Sequence, residues 1–180
     1  MSDQKQVRTI EVVPHDRRWA GEYQKEAGQI QQVFGDELLE IYHIGSTAIP
    51  GIYAKPIIDI LVGVKDIQRV DSFNPQMEML GYQAWGEYGI PGRRYFPKGL
   101  ILRTHQVHIF QSGDAQIARH LNFRDYLRCH PEQAWQYQAL KIELAQRFRY
   151  DIDGYSTGKD AFIQEMDRQA ADWVKRGRQD

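Results

Sequence analysis

The chain has 180 residues, 42% hydrophobic and 26% charged, with 23 basic against 24 acidic side chains and a net charge of −1. Such a length suits one domain spanning residues 1–180 with a full core, and the near-neutral balance excludes a generic nucleic-acid coat. Cys129 is the only cysteine, which excludes an internal disulfide and a paired-cysteine metal site. No stretch is long enough to be a membrane span, and the opening residues MSDQKQVRTI carry no signal-like apolar run. A cytoplasmic location is expected, with neither membrane nor nucleic acid as partner.

Residues 7–13, VRTIEVV, alternate as an edge strand would, and Pro14 ends them. Asp16 is placed to cap a helix whose stripe is Trp19, Tyr23, Ala27, Ile30 and Phe34, with Gly35 at its C-terminal stop. Residues 37–44, ELLEIYHI, then form the strand that delivers the chain to Gly45.

Most of the chemistry lies between His43 and Val62. Gly45 permits close approach of a ligand to the backbone, while Ser46 and Thr47 supply hydroxyls and N–H groups. A helical turn opening there favours an anion such as phosphate; a plain turn is the alternative. Lys55 either places a point charge beside that phosphate or lies in solvent. Residues 57–62, IIDILV, read as a strand buried on both faces. Asp59 inside this run needs a partner, a metal or a proton. It is a catalytic or metal-binding carboxylate, or else a strand-end acid that caps a loop or pairs with an arginine. His43 is on the strand face of Gly45 and is either a ligand or a hydrogen-bonded structural residue.

Residues 66–80 predict helical structure broken near Asn74-Pro75 and ended by Gly81. The stretch 85–99, WGEYGIPGRRYFPKG, is expected to be irregular, a long loop whose Arg93 and Arg94 capture phosphate or carboxylate. Residues 100–110, LILRTHQVHIF, read as a strand with His105 and His108 on opposite faces. Ser112 or Asp114 caps the next helix, with Leu121, Phe123 and Leu127 inside and Arg119, Arg124 and Arg128 as a basic stripe or an exposed face with ion pairs. Pro131 opens a helix through Tyr137, Leu140, Leu144 and Phe148. Lys141 on that helix is a surface residue or another phosphate contact. The last helix is expected from about Ser156 to Arg176, after a break at DIDGYST.

Gly45-Ser46 followed by Asp59 resembles the nucleotidyltransferase superfamily, in which a Gly-Ser turn precedes a strand bearing two acids. Here positions 57 and 61 are Ile and Leu, so only one acid is present. The ordered blocks HIGSTAIPG–KPIIDILV, YGIPGRRYFPKG, RTHQVHIF, HLNFRDYLRCHP and YQALKIELA extend the likeness over the whole chain. Together they resemble the GrpB family of uncharacterised proteins, and also the domain fused to some bacterial dephospho-CoA kinases. The resemblance implies an α+β, nucleotidyltransferase-like fold: a small mixed sheet flanked by helices, with a helical C-terminal part.

It also implies a cleft around His43, Gly45, Ser46, Lys55, Asp59, Arg93, Arg94, His105, His108, Arg124 and Asp125. Three functions are open. In the first, metal-assisted nucleotidyl transfer from a nucleoside triphosphate, Asp59 and His108 are catalytic. Gly45, Ser46, Thr47, Lys55, Arg93, Arg94 and Arg124 then hold phosphate, and Asp59, His108 and His43 hold Mg²⁺ or Mn²⁺, with Zn²⁺ as alternative. The second is a non-catalytic module for a nucleotide or other phosphorylated small molecule. The third is a metal-dependent hydrolase in which histidines replace acids.

Overall fold

The computed structural model describes residues 8–178. Helix α1 (Arg18–Phe34) forms where apolar side chains recur at helical spacing, and Trp19, Ala27, Ile30 and Phe34 are buried along it. The Asp16 carboxylate accepts the Arg18 N–H at 2.9 Å, and Gly35 at φ 51° stops the helix.

Four strands follow: β1 (Leu38–Ile44), β2 (Ile58–Val64), β3 (Arg94–Lys98) and β4 (His105–Gln111). They lie in the spatial order β1-β2-β4-β3. β2 runs antiparallel to β1 and parallel to β4, and β3 runs antiparallel to β4, so the sheet is mixed. Between β2 and β3 a 3₁₀ segment (Ile67–Phe73) leads into the short helix α2 (Asn74–Met79).

Alternation along β2 decides what each face meets. Ile58, Ile60, Val62 and Val64 enter a core shared with α1, Val107 and Ile109. Leu61 points the other way, into a cluster with Ile44, Phe110 and Ile117. Asp59 shares the face of Leu61, near the end of the strand and opposite Ile44.

That second face is covered by α3 (Ala115–Cys129), with α4 (Pro131–Arg147) and α5 (Ile152–Lys175) packed around it. These helices build a core of their own from Leu127, Tyr137, Met166, Ala170 and Trp173, which takes in Ile49 and Ile52 from the β1–β2 connection. Gly158 lets α5 approach α4 closely, since a Cβ there would lie 2.5 Å from a Leu144 methyl. The molecule is thus α+β, with a small mixed sheet between helices and a helical C-terminal part.

Four expectations are corrected. Residues 8–13 form no strand, and residue 7 lies outside the described residues. The segment makes a single bridge, Val13 to Ala54, because Ile10 is buried against Leu144 and Tyr155 instead of joining the sheet. The 85–99 stretch is not wholly irregular: Arg94–Lys98 is the edge strand β3, and an edge accommodates Pro97, which has no N–H to donate. The strand expected from residue 100 begins only at His105, because Gly99 at φ 82° turns the chain and leaves Leu100 and Leu102 exposed. Finally, α5 begins at Ile152, ahead of Ser156, where the Asp151 side chain caps it through the Gly154 N–H at 2.9 Å.

Candidate functional site

Gly45 sits at φ 72°, a left-handed conformation that glycine adopts without strain. A Cβ at this position would lie 2.6 Å from Asp59 Oδ2, so the glycine is what lets the carboxylate rest over the backbone. Ser46–Ala48 then make one 3₁₀ turn. Thr47 is buried behind it, its Oγ1 donating to the Ile57 carbonyl at 3.4 Å and lying 2.9 Å from His43 Nε2.

The helices hold the rest of this connection. Tyr53 gives its N–H to Gln138 Oε1 at 2.8 Å, and its carbonyl accepts from Lys141 Nζ at 2.5 Å, both groups on α4. From α3, Arg124 donates to the His43 carbonyl at 3.0 Å and Arg128 to the Ala48 carbonyl at 2.8 Å. Backbone groups that a loop would otherwise leave unpaired are thereby satisfied.

Between the connection and helices α4 and α5 lies a cavity of about 160 Å³, lined by Gly45, Ser46, Thr47, Lys55, Asp59, Gln106, Tyr137, Lys141, Tyr155 and Lys159. Three ammonium groups face one carboxylate there. Each lysine is seated on a tyrosine ring: Lys141 Nζ lies 4.5 Å from the centre of Tyr137, and Lys159 and Lys55 lie 4.5 and 4.9 Å from that of Tyr155.

Confinement is costly for the charged amines. Burial, with the charges of Lys159 and Lys55 acting in the same direction, pushes Lys141 down to about 7. Burial takes Lys55 to about 8, with Lys159 and Arg8 acting in the same direction and Asp59 against them. Lys159 is also lowered by burial, which Asp59 and Asp160 oppose. An anion in the cavity would relieve all three.

Beside the cavity, Asp59 Oδ1 lies 3.5 Å from His108 Nε2, and His108 Nδ1 lies 3.3 Å from Arg93 Nη1. A guanidinium has only donors, so Nδ1 must accept and Nε2 must carry the hydrogen that points at Asp59. The buried Arg93 is fixed in turn by donating to the Glu87 carbonyl at 3.1 Å and the Tyr88 carbonyl at 2.6 Å, and it stacks 4.8 Å above Tyr95. His108 therefore orients the carboxylate, and Arg93 orients His108.

The family model described as GrpB protein matches residues 9–169. The chain belongs to the GrpB family. It is 45% identical over 168 residues to UPF0157 protein YqkA of Bacillus subtilis, covering 93% of this chain and 49% of that one. A dephospho-CoA kinase of Mycolicibacterium paratuberculosis is 26% identical over 190 residues, covering 92% of this chain and 47% of the kinase. The chain thus spans about half the length of these two relatives. A crystal structure of the conserved protein GrpB from Enterococcus faecalis superposes with a TM-score of 0.86 at 44% identity, covering 89% of this chain and 96% of that one.

In this GrpB chain the expected residues divide into two groups. Gly45, Ser46, Thr47, Lys55 and Asp59 line the cavity, and His108 and Arg93 stand behind Asp59. The others lie elsewhere. His43 is on the opposite face of the sheet from Asp59, stacked on Tyr23 at 4.8 Å, and burial pushes it down to about 4. Arg94 is ion-paired to Asp71 at 2.8 Å, also away from the cavity. His105 faces Glu26 of α1 at 4.0 Å. Arg124, paired with Asp125 at 2.7 Å, braces the β1 end and does not line the cavity.

Sequence reasoning missed Lys159, Tyr137, Tyr155 and Gln106 as lining residues, and it left Lys141 undecided. A signal was available in YQALK and YSTGK, where a lysine follows a tyrosine by four residues on each of two consecutive helices. That spacing stacks the pair on one helix face.

Proposed function

We propose that this cleft binds a phosphorylated small molecule, with nucleotides as the first candidates, through lysines instead of a metal pair. One observation carries the reading: Lys55, Lys141 and Lys159 converge with the Gly45–Ser46–Thr47 turn on a cavity holding a single carboxylate. Three confined ammonium groups without matching acids are an arrangement that an anion completes, by charge and by hydrogen bonds.

The donor chemistry argues against the two-metal chemistry that the nucleotidyltransferase-like likeness implies. The positions that would bear a second acid are Ile57, an apolar residue in the cavity wall, and Leu61, buried in the apolar cluster with Ile44 and Phe110. The Nε2 hydrogen of His108 occupies the direction in which a metal shared with Asp59 would need a lone pair. No group of three or more metal-ligating side chains is found among the described residues. The residues present therefore do not fit a metal pair, or the His/Asp metal centre of a hydrolase.

Thermal-shift titration tests the proposal, with pyrophosphate, tripolyphosphate, nucleoside triphosphates and coenzyme A precursors, each with chelator or with Mg²⁺ or Mn²⁺. Stabilisation that persists in chelator and in Asp59→Ala, and disappears in Lys141→Met/Lys159→Gln, is expected. Stabilisation that requires the divalent ion and vanishes in Asp59→Ala, together with pyrophosphate release, would replace this reading by nucleotidyl transfer.

A further inference from the structure

Asp59 and Lys159 divide the cleft. Across them from the lysine cavity lies a second compartment of about 290 Å³, which shares Gly45, Asp59, Tyr137 and Lys159 with the first. Its own walls are of another kind. Arg119 and Asp167 are present but neutralise each other in an ion pair at 2.7 Å. The remaining surface comes mainly from Ile44, Ile163, Phe123, His108 and His120.

His120 is the informative residue. Its ring is tilted against those of His108 and Phe110 at 5.7 and 6.3 Å, and its Nε2 is buried with no hydrogen-bond partner among the described residues. Burial pushes the imidazole down to about 3, so the ring lines the compartment as a neutral aromatic surface. Phe123, held edge-on to Tyr137 at 5.8 Å, supplies a second aromatic surface.

We propose that this compartment receives the uncharged heteroaromatic base of a nucleotide whose phosphates face Lys55, Lys141 and Lys159. The inference rests on the phosphate reading above and adds the identity of the other end of the ligand. A second phosphate finds no free cationic cluster here, because Arg119 is paired with Asp167 and the remaining Lys159 is offset by Asp59. A flat ring matches the aromatic surfaces of Phe123, Tyr137, His108 and His120. Together the two compartments reach the range of small-molecule sites, about 300–1,000 Å³.

The test is calorimetric titration of the whole chain with tripolyphosphate and with ATP, GTP, CTP and UTP. At least one nucleotide should bind tenfold or more tightly than tripolyphosphate. Phe123→Leu and His120→Ala should reduce that nucleotide to the level of tripolyphosphate while leaving tripolyphosphate unchanged. Phe123→Leu keeps most of the packing volume, and unfolding curves of both variants identify any loss that comes from misfolding. Tripolyphosphate binding with no nucleotide preference, or variants that weaken both probes equally, would overturn the base compartment alone. Nucleotides that bind while tripolyphosphate does not, unaffected by Lys159→Gln, would overturn the phosphate reading alone. Absence of binding by all five probes would overturn both.

Discussion

The Asp59 carboxylate rests where any side chain on residue 45 would stand. Gly45→Ala must therefore move the carboxylate and hold alanine at a positive φ, a combined cost of about 1–3 kcal/mol. It should lower the urea midpoint, and it should weaken the ligand-induced thermal shift because the added methyl stands where a ligand approaches the Gly45 backbone. Lys141 sets a second test, of opposite character. It is 2% exposed, and burial holds it at about 7 against an ordinary 10.5. Between those values the unfolded chain keeps a proton that the folded chain has released, so folded stability rises as pH rises from 7 to 10. Below pH 7 both states are protonated and the full penalty applies, on the order of 5 kcal/mol at about 1.4 kcal/mol per pH unit. Urea denaturation across this window should show the rise, and Lys141→Met should flatten most of it.

At the scale of elements, the β3–β4 turn depends on Gly99. Its φ is 82°, and an added Cβ would collide with the Leu102 carbonyl. Gly99→Ala should destabilise the chain by about 1–3 kcal/mol in chemical denaturation, and the calorimetric affinity for pyrophosphate should hold if the lysine cavity, remote in sequence, keeps its shape. The same region shows where pattern reading reaches its limit. Helix α1 was legible because its apolar residues recur at a period of 3.6, and β2 because its β-branched residues run on almost without a break. β3 was hidden by Gly92, Pro97 and Gly99, which signal a loop in isolation but are tolerated on a sheet edge flanked by turns. The start of α5 was hidden by Gly154 and Gly158, which are there for close packing against Phe148 and Leu144. Within the site, the Gly45–Asp59 half was readable because a glycine turn and a buried acid lie near each other in the chain. Of the lysines, Lys55 was read beside the turn and Lys141 as one of two alternatives, but Lys159 and the convergence of all three were not, because they come together only when α4 and α5 fold back on the β1–β2 connection. The placement of His43 against Tyr23 and of Arg94 against Asp71 depended likewise on which face each strand turns to which helix.

For the molecule as a whole, ligand binding and proton uptake are linked. A phosphate among Lys55, Lys141 and Lys159 restores the charges that burial suppresses, so the complex holds more protons than the free chain near and above pH 7. Affinity for pyrophosphate should accordingly fall between pH 7 and 9. Calorimetry in two buffers of different ionisation enthalpy should register net proton uptake at pH 8, and Lys141→Met should reduce it.

The β1–β2 connection starts from the sheet core but buries Ile49 and Ile52 in the helical one. The acid of the cleft stands on strand β2 of the sheet and two of its three lysines on helices α4 and α5, so the bound anion would act as a tie-bar between sheet and helices. Its mechanical effect should then spread along whole helices, beyond the lysines it touches. Amide hydrogens along α4 and α5 should exchange with solvent more slowly once pyrophosphate is bound, and those in the middle of β2, already locked within the sheet, should hardly change.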